Sequence, residues 1–262
     1  MPNNNIRISL KNVIAPPIPM AVLMVLGIVL IWIAGFGYEP TSTIVQFNSP
    51  LAVNLQLFVL SNHILSNILG VVITLLNAFL IAQLNNKFTI IRTRSFLPVF
   101  IFMVLIASWP SIHMVLCAHL ALTFFIMSLF VFFEMYRDRN ASEQAFLGSL
   151  LIATASLLIE PFILFIPVCW IGFMRFYSFS LRTFLASVFG ALVPWVLYLA
   201  MRIYFQPDLQ WLNTLATDFY IGVPIIELPL NEIIYMASAA VIILIGLAGL
   251  FSNLHSDAIH TR

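Results

Sequence analysis

The chain has 262 residues, of which 62% are apolar and only 8% are Asp, Glu, Lys or Arg, with a formal net charge of +1. A soluble domain is about half apolar and a quarter charged, so a water-soluble globule is excluded and the bilayer is the solvent. No basic face or run occurs, which excludes a general attraction to nucleic acid. About eight apolar runs fill the length, leaving one integral membrane domain, 1–262, as the economical organisation.

Residues 1–17 are polar and then proline-rich, with Arg7 and Lys11, and they lead into a first apolar run, Ile18–Phe36. That run is 19 residues long and ends Ala34-Gly35-Phe36-Gly37. It is longer than the apolar core of about 7–15 residues in a cleaved leader and is expected to stay as an anchor. Residues 37–63 carry Glu39 and no Lys or Arg, and Leu51–Leu60 within them fits an interfacial helix. The second run, Ile64–Leu84, holds Asn77, which favours a partner helix over lipid.

The third and fifth runs, Phe96–Ser108 and Ala145–Ile159, are 13 and 15 residues long, short of the roughly 20 needed to cross a hydrocarbon core. They are expected inside the bundle as halves of two hairpins tipped by Trp109-Pro110 and Glu160-Pro161. Proline stops each helix because the residue before it is pushed out of the α region. The partners are Ile112–Met135 and Pro161–Phe176. The seventh run, Phe184–Tyr204, is interrupted by Pro194, which removes a backbone bond and usually kinks a helix. Residues 206–231 form a second long loop, with an amphipathic stretch from Pro207 to Tyr220 suited to the membrane interface. Ile233–Phe251 is the eighth run, and 252–262 is a polar tail. The fold class expected is therefore all-α, a polytopic transmembrane bundle of about eight spans with interfacial helices in two loops.

With both termini cytoplasmic, Arg7, Lys11, Lys87, Arg92, Arg94, Arg137, Arg139, Arg175, Arg182 and Arg262 all lie inside, and Arg202 alone among the eleven basic residues lies at an outer end. That asymmetry follows the positive-inside rule. The outer side then holds loops 37–63 and 205–231 and both hairpin tips, and among its ionisable groups are Glu39, Glu160 and Arg202. Together they could bind a phosphate or supply a base. Taken singly, each is also an ordinary headgroup-level residue, with Arg202 snorkelling.

His113 and His119 are six positions apart on one helix and do not share a face as an i, i+4 metal pair would, so no metal site is expected. His119 is expected to face the bundle in an interhelical hydrogen bond. Glu134 is expected to pair with Arg137 at i+3. Cys117 and Cys169 lie in apolar runs and behave as small hydrophobes. No P-loop, dinucleotide fingerprint, HExxH or GxSxG occurs, so cytoplasmic nucleotide-driven chemistry has no place to sit; the cofactor is unknown.

Several stretches carry a resemblance: Asn85-Asn86-Lys87 through Ser95-Phe96-Leu97-Pro98, Ala118-His119-Leu120-Ala121-Leu122, Gly148-Ser149-Leu150 through Ser156-Leu157-Leu158, Phe179-Ser180-Leu181-Arg182-Thr183 and Gly190-Ala191-Leu192-Val193-Pro194. They resemble a bacterial family of polytopic inner-membrane proteins of unknown function. That family looks like a shortened relative of the C-superfamily membrane glycosyltransferases, which use lipid-linked sugar donors. The resemblance implies that Glu39 acts as base or metal holder and that Arg202 meets the lipid phosphate; Glu160, from its place at the hairpin tip, is expected to line or border the same cavity. The chain departs from those enzymes in having one acidic residue where they commonly pair two.

The function expected is the handling of a polyprenyl-phosphate or glycolipid substrate at the periplasmic face of a bacterial inner membrane, within envelope biogenesis. The rival is a non-catalytic subunit or scaffold of an envelope-export complex, with membrane proteins as partners. The sequence leaves open whether the chain is an enzyme. An enzyme requires Glu39 and Arg202 to converge, whereas a scaffold tolerates their loss.

Overall fold

The computed structural model describes Leu26, Val29, Leu51, Leu55, residues 63–88, 97–107, 115–136, 138, 140–205, and 233–234, 237–238, 240–241 and 244. The chain divides into two compact units, Met1–Phe219 and Tyr220–Arg262. In the second unit the described residues are helical, and Ile233, Ile234, Val241 and Leu244 are exposed.

The first unit is all-helical among its described elements: α1 (His63–Phe88), α2 (Leu97–Ala107), α3 (Leu116–Glu134), α4 (Ser142–Leu158), a 3-10 turn (Glu160–Leu164), α5 (Phe165–Arg175) and α6 (Leu181–Phe205). Three of them are long and apolar enough to cross a membrane: Ile64–Phe88, Leu116–Glu134 and Leu181–Tyr204, of 25, 19 and 24 residues. α1 outruns the apolar run that predicts it, because Asn85, Asn86 and Lys87 continue the helix after hydrophobicity ends.

Helix directions follow from paired contacts. Asn77 bonds the turn at His119 and Lys87 pairs with Glu134, so α1 and α3 are parallel. Phe125 packs on Phe165 and Phe132 on Phe173, so α5 runs with them. In α4, Leu158 and Ala155 cluster with Ala121 while Gly148 meets Phe132, so α4 runs opposite to α3. Phe146 lies against Gly190 and Ser156 against Trp195, so α6 is parallel to α4. The described charges sort accordingly. Lys87, Glu134, Asp138, Glu143, Arg175 and Arg182 lie at one end of the bundle, and Glu160 and Arg202 at the other.

α4 is the hub. Nine of its 17 residues are buried, among them Ala145, Gly148, Ser149, Ala153, Ala155 and Ser156, small side chains that let helix backbones approach closely. At about 1.5 Å per residue α4 is some 25 Å long, and enclosure by α3 and α6 removes the need to match the bilayer. α2 is different. Met103 and Ala107 pack on Ala78 of α1, but Phe100, Ile101 and Val104 are exposed, so this short run is half-enclosed rather than interior.

Local chemistry sets the turns. Ile159 takes extended backbone after α4, and Pro161 then occupies the first turn of the 3-10 helix, where its missing N–H costs nothing. α5 ends in a Schellman motif: the Tyr177 N–H bonds Met174 O and the Ser178 N–H bonds Phe173 O at 3.1 Å, with Tyr177 at φ 58° where glycine is usual. Ser180 caps α6 reciprocally, its Oγ 3.2 Å from the Thr183 N–H and its own N–H donating to Thr183 Oγ1 at 2.8 Å.

Pro194 does not interrupt α6, which is continuous from Leu181 to Phe205. The proline has no N–H to give the Gly190 carbonyl one turn back. At Gly190 α6 also lies close against α4: a Cβ there would collide with the Phe146 carbonyl oxygen.

Candidate functional site: a polar end and a buried polar seam

Glu160 and Arg202 reach the same end of the bundle by different routes. The Phe146–Gly190 and Ser156–Trp195 contacts offset α4 from α6 by 44 and 39 residues, which puts Leu158 level with residues 197–202. Glu160 follows two residues later on the 3-10 turn, and Arg202 is in the last turn of α6. A cation there suits the helix dipole. Yet the Arg202 Nε is buried with no hydrogen-bond partner, so that one N–H has been taken out of solvent without compensation. Around it Leu197, Met201, Ile203 and Tyr204 are exposed at 54–81%, as they would be on a surface facing lipid. Glu39, the third predicted site residue, and His113 lie outside the described residues.

The opposite end is held by an ion pair. Lys87 Nζ is 2.5 Å from Glu134 Oε1, with Lys87 stacked near its own neighbour Phe88. Glu134 therefore pairs across helices. The expected local partner, Arg137, is outside the described residues. Parallel packing of α1 and α3 brings residues 87 and 134 together, which sequence spacing could not reveal.

Halfway along α1 lies a polar seam. Asn77 Nδ2 donates to the His119 carbonyl at 3.0 Å. The Thr123 hydroxyl lies 2.8 Å from Asn77 Oδ1 and 2.9 Å from His119 O, sharing its proton between them. Thr74 Oγ1 is 3.3 Å from His119 Nδ1. Thr74, Asn77 and His119 are each no more than 1% exposed. Asn77 thus clamps the 119–123 turn of α3, which is the interhelical bonding that Asn77 and His119 lead one to expect. Thr74 and Thr123 were not foreseen. Their signal was the i+3 spacing of Thr74 to Asn77 and the i+4 spacing of His119 to Thr123, each pair on one helix face.

Two further bonds tie α4 and α5 to α6. Trp195 Nε1 donates to Ser156 Oγ at 3.0 Å and Trp170 Nε1 to Ser187 Oγ at 2.8 Å. Each serine passes its own proton to a carbonyl three residues back. Among the described residues no three His, Cys, Asp or Glu side chains converge as metal ligands. No known protein family, curated protein or solved structure matches the chain.

Proposed function

We propose that the chain is an eight-span inner-membrane protein with cytoplasmic termini that handles a phosphate-bearing, lipid-linked substrate at the end where Glu160 and Arg202 lie. The observation that supports this is the buried, unpartnered Nε of Arg202. A guanidinium N–H without a partner is suited to a phosphate oxygen, and the exposed apolar surface of α6 beside it is suited to the chain of a lipid that arrives sideways through the bilayer. Lys87, Arg175 and Arg182 at the opposite end accord with a cytoplasmic assignment for that side. In this reading Glu160 borders the headgroup, Glu39 serves as base or metal holder, and the chemistry is glycosyl transfer from the lipid carrier.

The test is binding of a polyprenyl phosphate to the protein in nanodiscs, read by native mass spectrometry. A charged hydrogen bond contributes about 1.5–3 kcal/mol, so Arg202→Ala should weaken binding at least tenfold, and Glu39→Gln should spare binding while abolishing turnover. Equal affinity for Arg202→Ala and the native protein would remove the reading and leave a scaffold role, which tolerates both changes. Orientation is checked separately: cysteines placed at Ser42 and Thr214 should react from the periplasm, and one at Ser142 should not.

A further inference from the structure

Ser66, Gly70 and Thr74 recur every four residues on α1 and so lie one above another on a single face. All three are buried, Ser66 and Thr74 to 1% exposure. The row begins in the first turn of α1, at the bundle end shared with Glu160. It stops at the Thr74 hydroxyl, 3.3 Å from His119 Nδ1. Eight residues of helix rise about 12 Å, roughly a third of this 25-residue span.

Two observations separate this row from ordinary small-residue packing. The first is that Ser66 Oγ is buried with no hydrogen-bond partner. Hydroxyls on membrane helices normally bond a carbonyl three or four residues back, as those of Ser128, Thr154 and Ser156 do here. A buried hydroxyl without a partner is rare, and water is the smallest group that satisfies it.

The second is the imidazole. The clamp between α1 and α3 closes on the backbone carbonyl of residue 119, so it does not depend on the His119 side chain. Among the described residues His119 is the sole buried His, Asp, Glu, Lys or Arg. An ionisable group at such depth is costly and marks proton or ion paths in membrane proteins.

We infer that Ser66, Gly70 and Thr74 line a water-bearing row that connects the Glu160 end of the bundle to His119, and that His119 exchanges protons with that end. The Thr74 hydroxyl is the relay. It gives its proton to Nδ1 and takes one from the water above, so that a hydronium at the mouth becomes water and the ring becomes imidazolium. The reverse sequence releases the proton to the same side. The neighbouring elements bring few competing groups. α1 has His63 as its first residue and Lys87 near its last, α2 has no charged residue, α3 has Cys117 and the distant Glu134, α4 has Glu143 at the far end, and the 3-10 turn has Glu160 at the near end.

The experiment uses the full chain in nanodiscs, with Cys117 and Cys169 replaced by alanine and one cysteine returned at a time. The probe is Ag⁺, which travels through water and not through hydrocarbon, and the readout is the adduct in intact-protein mass spectrometry. Ser66→Cys and Thr74→Cys, both close in size to the native side chains, should react at least tenfold faster than Val72→Cys on the exposed face of α1. In the native protein the ¹⁵N signals of the His119 ring should move with pH, and Ser66→Leu should slow that exchange. Labelling of Ser66→Cys and Thr74→Cys no faster than Val72→Cys overturns the inference. So does a His119 ring signal that stays constant from about pH 4 to 8, the range in which an accessible histidine titrates.

Discussion

Three glycines sit in three different surroundings, and replacing each by alanine asks how closely the helices approach. At Gly190 the added Cβ meets backbone: the Phe146 carbonyl oxygen in hard overlap, its carbon at 3.0 Å and its Cα at 3.1 Å. A helical backbone cannot turn aside, so α4 and α6 must separate by on the order of 1 Å, a gap that forfeits a quarter to a half of each contact's attraction. Gly190→Ala should therefore destabilise by about 3 kcal/mol, the upper part of the range for overpacking.

At Gly148 the Cβ meets the Phe132 ring, at 2.5 Å from Cζ and 2.8 Å from Cδ1. That ring packs on Phe173 with centroids 5.4 Å apart and can shift; about 1–2 kcal/mol is expected. At Gly172 nothing lies within 4 Å, so alanine should be neutral or stabilising by up to about 1 kcal/mol through helix propensity. Reversible unfolding in mixed micelles, followed by tryptophan fluorescence, gives the ranking. If Gly190→Ala unfolds at the same denaturant fraction as Gly172→Ala, the close approach of α4 and α6 is refuted.

The other perturbations are smaller. Asn77→Leu keeps the branched shape but removes the clamp, and should cost about 1–2 kcal/mol in the same assay. Thr123→Val should cost less, since Asn77 still reaches the His119 carbonyl, and the pair should show coupling in a double-mutant cycle. Tyr177→Gly relieves a left-handed residue and should stabilise by about 1 kcal/mol, measurable as a raised midpoint. Glu134→Gln should change stability by less than about 1 kcal/mol, because both partners of the Lys87 pair are about half exposed; a larger loss would mean that the pair is shielded by the membrane.

All-helical character and the membrane as solvent were legible in composition, because a chain with so few charges must satisfy every backbone group internally. The long helices were legible from run length, and the end of α4 from local chemistry, with Pro161 just beyond it. Asn77 and His119 announced themselves as polar residues in apolar runs. What they bond did not, since which faces of α1 and α3 meet depends on helix direction and register. The same holds for Lys87 with Glu134 and for Arg202 level with the end of α4.

Pro194 was misleading alone. Its ring leaves the Gly190 carbonyl without a helical donor, yet α6 is continuous from Leu181 to Phe205. The exposure of α2 was equally hidden, because a short apolar run looks the same whether a helix or lipid covers it. One-dimensional pattern records what each residue prefers as surroundings, whereas the identity of the group that supplies them is a property of packing.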